Sequence, residues 1–112
     1  MKFLALITSE EGKDDVDMQT LYGQYEAFEE EAGAAGVFVS GEALEPVSTA
    51  SSVKVRNAKM VVTDGPYAET KEQLGGFYIF ECKDLDDALN WAAKIPSARY
   101  GTVEVRPIMT FE

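Results

Sequence analysis

With 112 residues, 46% hydrophobic and 27% charged, the chain has the size and make-up of one globular domain with a single core. Twenty acidic against ten basic side chains leave a net charge of −10, which excludes binding to nucleic-acid phosphates or to an anionic membrane face. The absence of histidine excludes imidazole metal ligands, Ser-His-Asp and Cys-His nucleophiles, and a histidine general base.

Lys2 precedes only five apolar residues, Phe3 to Ile7, before the polar Thr8-Ser9-Glu10-Glu11. A signal peptide needs about 7–15 apolar residues and a membrane span roughly 18, so neither is expected. The single cysteine, Cys82, has no internal disulfide partner. A cytoplasmic protein is the expectation. Cys82 itself ends an apolar strand pattern and reads as a half-buried small hydrophobe.

Residues 2–8 form an apolar run that suggests a strand in the middle of a sheet, covered on both faces. Met18, Leu21, Tyr22, Tyr25, Phe28, Ala32 and Ala35 follow at spacings of three and four, the pattern of an amphipathic helix with its core face on these side chains. Asp17 is its N-cap and Gly36 its stop, and Gly33 is expected to fray or turn its end. Val37 to Ser40 reads as a strand ending around Gly41 to Pro46. Val53 to Arg56 and Lys59 to Thr63, joined by Asn57-Ala58, read as a hairpin. Asp64-Gly65-Pro66 marks a turn, and Glu69 to Gln73 a loop or a solvated helical turn. A buried strand follows at Phe77 to Cys82. Asp84 caps a second helix with Leu85, Ala88, Leu89, Ala92 and Ile95 on one face and Pro96 at its end. Thr102 to Ile108 alternates as a last strand.

The order β-α-β, hairpin, β-α-β matches the α+β, ferredoxin-like split-βαβ plan, with both helices on one face of an antiparallel sheet. The two central strands carry large apolar residues at consecutive positions, hence on both faces. One helix layer covers only one of them. A second copy, stacked sheet to sheet as a dimeric α/β barrel, is therefore expected to cover the other.

The densest polar stretch is Thr63 to Gly76, with turn formers at both ends, three carboxylates, a lysine and a phenol. Such groups on a loop held by a rigid scaffold suit a ligand site. They also suit a structural turn, in which Asp64 caps its own backbone and Gly65 supplies positive φ. Both readings stand at this point.

Asp64-Gly65-Pro66-Tyr67-Ala68-Glu69-Thr70-Lys71-Glu72-Gln73-Leu74-Gly75-Gly76-Phe77 closely resembles the signature of the DGPF-type YCII-related family, with Tyr67 where the family has Phe. The resemblance extends to Met1-Lys2-Phe3-Leu4, Gly41-Glu42-Ala43-Leu44, Asp86-Asp87-Ala88, Trp91-Ala92 and Gly101 to Met109. It implies a ferredoxin-like dimeric α/β barrel. Some YCII-like relatives carry a His–Asp pair in a cleft; this sequence has no histidine, so any acid–base role falls to carboxylates, tyrosines and lysines. The DGPF branch also resembles partners of extracytoplasmic-function sigma factors, which implies a regulatory interaction as the alternative to a small-molecule site.

Asp64 is the candidate general base, because a carboxylate desolvated beside an apolar strand suits that role. Tyr67, Glu69, Lys71 and Glu72 from the signature, with Glu104 and Arg106 from the last strand, are the candidate ligand-binding residues. Lys71 or Arg106 would hold an anionic or carbonyl group. As surface ion pairs instead, Lys71 would meet Glu69 or Glu72, and Arg106 a cross-sheet carboxylate such as Glu81. Asp64, Glu69 and Glu72 match no EF-hand spacing, and neither metal nor cofactor is expected. Three readings follow: a homodimeric small-molecule-binding protein or enzyme with a cleft around residues 64–76, lined by Asp64, Tyr67 and aromatic side chains; a regulatory partner of a sigma-factor-type protein; or a signature that is purely architectural. Residues 1–36 hold nine acidic and two basic groups. Most of the net charge therefore belongs to the first helix and its approach, and it says little about the charge of a ligand.

Overall fold

The computed structural model describes residues 1–11, 17–66 and 70–111. Its elements are β1 (Lys2–Ser9), α1 (Met18–Ala34), β2 (Phe38–Ala43), β3 (Ser51–Arg56), β4 (Lys59–Asp64), β5 (Gln73–Glu81), α2 (Leu85–Ala93) and β6 (Thr102–Pro107). Short 3-10 turns cover Val47–Thr49 and Pro96–Arg99. Four strands form an antiparallel sheet in the order β2-β5-β1-β6. This is the ferredoxin-like order expected from the element pattern. The two most apolar strands, β1 and β5, lie at its centre, where both edges are paired.

Strand alternation sorts the sheet into two faces. Phe3, Ala5 and Ile7 of β1 and Tyr78 and Phe80 of β5 are buried on one face, under Phe28 and Ala32 of α1 and Ala88 and Ala92 of α2. Val37, Cys82 and Ile95 complete this core. Tyr78 sits at its aromatic centre, stacked on Phe80 at 5.7 Å and tilted against Phe28 at 5.4 Å. Trp91 closes one side, edge-on to Phe28, with Lys94 Nζ 4.7 Å from its ring centroid. Phe3, Phe80 and Ile95 are fully buried, each stabilising the fold by about 1.5–3 kcal/mol relative to exposure.

On the other face the register aligns Ser40, Ile79, Leu4 and Arg106 in one row and Glu42, Phe77, Leu6 and Glu104 in the next. Leu4, Leu6, Phe77 and Ile79 are only half-buried there. The centre of this face is apolar and its rim is charged.

Both helices start where expected. Asp17 accepts from the Thr20 amide, and Asp84 accepts from the Asp87 amide at 2.8 Å. Gly36, with φ of 74°, adopts the left-handed conformation that ends α1. The helix ends at Ala34, one residue past Gly33, where the Gly36 amide closes a turn on the Gly33 carbonyl. Only Phe28 and Ala32 of its apolar stripe are buried; Met18 and Tyr22 are exposed, and Tyr25 is half-buried. In α2, Leu85 and Leu89 are likewise exposed, and the short side chains Ala88 and Ala92 make the close packing. β2 extends to Ala43 and β5 begins at Gln73, so the end of the signature is strand and not loop.

β3 and β4 pair with each other and stand apart from the main sheet. The turn is Asn57-Ala58, both residues at positive φ. All hairpin side chains except Ser52 are exposed. The radius of gyration, 15.9 Å, exceeds the roughly 13 Å of a compact chain of this length because this arm projects.

Candidate functional site

The hairpin leaves and rejoins the body at two neighbouring points, and a cleft forms at that root. One wall begins where β2 ends. Pro46 opens the 3-10 turn: Thr49 donates to the Pro46 carbonyl through both its amide, at 2.9 Å, and its hydroxyl, at 2.7 Å. Val47 N donates to Glu11 Oε2 at 2.9 Å, which holds the turn against the segment after β1. The opposite wall comes from the signature. Gly65, with φ of 104°, donates its amide to the Ala50 carbonyl at 2.7 Å, and its own carbonyl accepts from Ser52 Oγ at 2.8 Å. These two bonds close the hairpin root.

β5 carries a bulge at Gly75. Ile7 pairs with Gly76 and Thr8 with Leu74, so the Gly75 carbonyl is free to accept from Leu44 N at 2.9 Å. The bulge brings the start of β5 against the chain leaving β2. Thr70 and Gln73 hold the entry to β5: Thr70 Oγ1 donates to the Glu72 carbonyl, and Gln73 Nε2 to the Thr70 carbonyl.

The resulting cleft has a volume of about 680 Å³. Leu44, Pro46, Val47, Pro66 and Leu74 give it an apolar wall, while Thr49, Thr70 and Gln73 supply hydroxyl and amide groups. Among the described lining residues Glu45 is the one charged side chain.

The candidate residues are distributed differently from the expectation. Asp64 is the last residue of β4, exposed and opposite Ser51, and is not among the lining residues. Tyr67 and Glu69 lie outside the described residues. Lys71 Nζ lies 3.3 Å from Glu10, not beside Glu72. Glu72 Oε1 accepts from the Thr8 hydroxyl at 3.1 Å, tying the signature to β1. Glu104 and Arg106 sit on β6, the edge strand separated from β2 by β5 and β1, at the rim of the open sheet face and outside the cleft lining. Arg106 approaches Glu104 on its own strand at 4.0 Å and does not cross to Glu81, because the register sets it opposite Leu4. The described lining is aliphatic rather than aromatic.

The 43–50 wall was missed. Its residues read as a strand terminator, and the proline and small polar residues that shape the turn were the available signal. Cys82 offers no nucleophile. It is buried, and burial together with the nearby Asp87 carboxylate pushes its thiol up to about 11. No group of three metal-ligating side chains occurs among the described residues.

A model of the YCII-related domain matches residues 1–112, the whole chain. The chain belongs to the YCII-related domain family. Among curated proteins, this YCII-related chain is 41% identical over 71 residues to an uncharacterized protein of Rhizobium meliloti (strain 1021), a match covering 62% of this chain. The matched stretch spans 57% of that relative's length. Among solved structures it resembles a 5-chloro-2-hydroxyhydroquinone dehydrochlorinase from Burkholderia phenoliruptrix AC1100, in complex with 2,5-dihydroxybenzoquinone. The TM-score is 0.56 at 17% identity, over 97% of this chain and 94% of that one. At that identity the likeness establishes the shared fold. No helix among the described residues is long and apolar enough to cross a membrane.

Proposed function

We propose that this YCII-related protein is a homodimeric small-molecule-binding protein or enzyme whose ligand occupies the cleft at the hairpin root. The observation that carries this reading is the cleft itself. Its volume of about 680 Å³ falls within the roughly 300–1,000 Å³ of small-molecule sites. Thr49 Oγ1, Thr70 Oγ1 and Gln73 Nε2 donate within the chain. That leaves the two hydroxyl oxygens and the Gln73 amide oxygen as acceptors beside an apolar wall, a lining that suits an uncharged ring whose one or two hydroxyls donate. Glu45 disfavours an anion there. The structural neighbour's named substrate, a chlorinated hydroxyhydroquinone, is a hydroxylated ring of this kind.

Lys71, Glu72 and Asp64 flank the site in this reading, as candidate rim residues. The dimer half of the proposal rests on the open sheet face. Leu4, Leu6, Phe77 and Ile79 lie together across two central strands, on the face away from both described helices. A second sheet would bury them, and Glu42, Glu104 and Arg106 would then edge the space between the sheets.

Hydroquinone is the probe. Saturation-transfer NMR should show it binding the wild-type chain, with the signal lost in Val47→Trp, which fills the cleft, and retained in Tyr22→Ala, on the exposed start of α1. A signal indifferent to Val47→Trp, or no binding at all, would overturn the assignment of the cleft to this ligand class.

A further inference from the structure

The β3–β4 arm has two unlike faces. Its register places Val53 opposite Val62 and Val55 opposite Met60, and alternation puts all four side chains on one side. Lys54, Arg56 and Lys59 share the other side with Val61. The apolar side is open to water: Val53 is 60% exposed, Val55 63%, Met60 71% and Val62 57%. A two-stranded hairpin with no third strand or helix against it is marginal in water. Four large apolar side chains held together on such a projection mark a contact surface.

We propose that this arm is a clasp for a second copy of the same chain, packing Val53, Val55, Met60 and Val62 against it. The inference rests on the dimer reading above and deepens it by naming a second contact. Two features of the chain select a like copy as the occupant. The first is charge. The arm carries three cations against the single carboxylate of Asp64, in a chain of net charge −10. What it complements is an acidic surface, and each copy, with 20 acidic against 10 basic side chains, is one. Two copies of charge −10 repel; a basic arm laid on its partner, with its cations on the outer side, offsets part of that repulsion.

The second feature is the open sheet face. Each copy has a half-buried apolar surface at Leu4, Leu6, Phe77 and Ile79, and an apolar arm projecting beyond its own body. In a two-fold dimer each contact occurs twice, so two arms add eight apolar side chains to the interface formed by the sheets. The long Lys and Arg side chains reach past the edge of the buried patch, where their charged heads stay in water.

Sedimentation equilibrium on the full chain tests this. The wild type should be a dimer, and Val53→Lys/Val62→Lys should raise its dissociation constant roughly tenfold or more. Lys54→Glu/Arg56→Glu should weaken the dimer in about 0.05 M salt and much less in about 0.5 M. Ile79→Lys, on the sheet face, checks the dimer separately. As a measurement free of substitutions, the wild-type β3–β4 amides should exchange more slowly above the dissociation constant than below it. A wild-type dimer whose affinity and arm exchange ignore the arm substitutions and concentration would overturn the clasp and leave the sheet-face dimer standing. A wild type that stays monomeric would overturn both.

Discussion

The Tyr78 hydroxyl donates to Glu29 Oε2 at 2.7 Å and thereby joins the central strand β5 to the solvent side of α1. The ring below that hydroxyl is buried among Phe28, Phe38 and Phe80. A phenol is suited to this position because its ring fills the core while its oxygen reaches the edge. Burial first, and then the hydrogen bond to Glu29 and the charge behind it, hold the Tyr78 hydroxyl far above its ordinary pKa of 10.0.

Tyr78→Phe keeps the ring and removes the bond. Glu29 is exposed and regains water, so the loss should be about 1 kcal/mol, roughly 4 °C in the thermal midpoint. Tyr78 also sets a pH dependence. Its raised pKa means the folded state keeps a proton that the unfolded chain gives up near pH 10. Its contribution is therefore complete below that pH and declines as pH rises further. Ultraviolet difference titration of the wild type against Tyr78→Phe should show the Tyr78 phenol un-ionised at about pH 11 in the native protein and ionised once denaturant is added.

Asn57 and Ala58 occupy the two central positions of the hairpin turn with φ of 53° and 62°. Asn tolerates that region, whereas Ala pays about 1–2 kcal/mol for its Cβ against the following carbonyl. Ala58→Gly relieves the strain and creates the Asn-Gly pair that this turn favours most. Because the arm stands apart from the sheet, the gain belongs to the arm alone. Amide exchange of β3 and β4 should slow by roughly fivefold or more, with β1 and β5 unchanged. Equal slowing across the whole chain, or none, would contradict an independently fluctuating arm.

Much of this architecture was legible because strand and helix periodicities differ. Phe3 to Ile7 and Phe77 to Cys82 read as central strands, and Asp17 and Asp84 announced their helices. Periodicity identifies which side chains share a face, but not how much of that face finds a neighbour. Tyr22 and Phe28 both lie on the apolar stripe of α1, yet only Phe28 reaches the sheet. The signature was legible as a unit of the family, and its structural part proved to be the hairpin root and the bulge at Gly75. The cleft was not legible in full, since seven of its eleven described lining residues lie within 43–50. Those residues meet the signature through the Leu44–Gly75 and Gly65–Ala50 bonds and the Ala43–Gly76 pairing, none of which a local pattern encodes.

Gly101 shows how a single hydrogen side chain can be required without any special backbone angle. It lies just before β6, where the strand begins its pairing with β1. A Cβ at Gly101 would collide with the Thr8 carbonyl oxygen and come within 2.9 Å of Ser9 Cα. Both are main-chain atoms in the strand that also pairs with β5, so neither can yield alone. Thr8 is held further by its hydroxyl, which bonds Glu72 and lies 3.2 Å from the Thr102 carbonyl. Gly101→Ala therefore has to push β6 away from β1, and should cost about 1–3 kcal/mol, the range for forced overpacking. The effect should reach the signature, since displacing Thr8 breaks its bond to Glu72. Urea unfolding should show the lower stability, and amide exchange should rise at Thr102 and Glu72 before it rises at Phe80. A variant as stable as the wild type would mean that the end of β1 gives way freely, and would remove the link between the start of β6 and the signature.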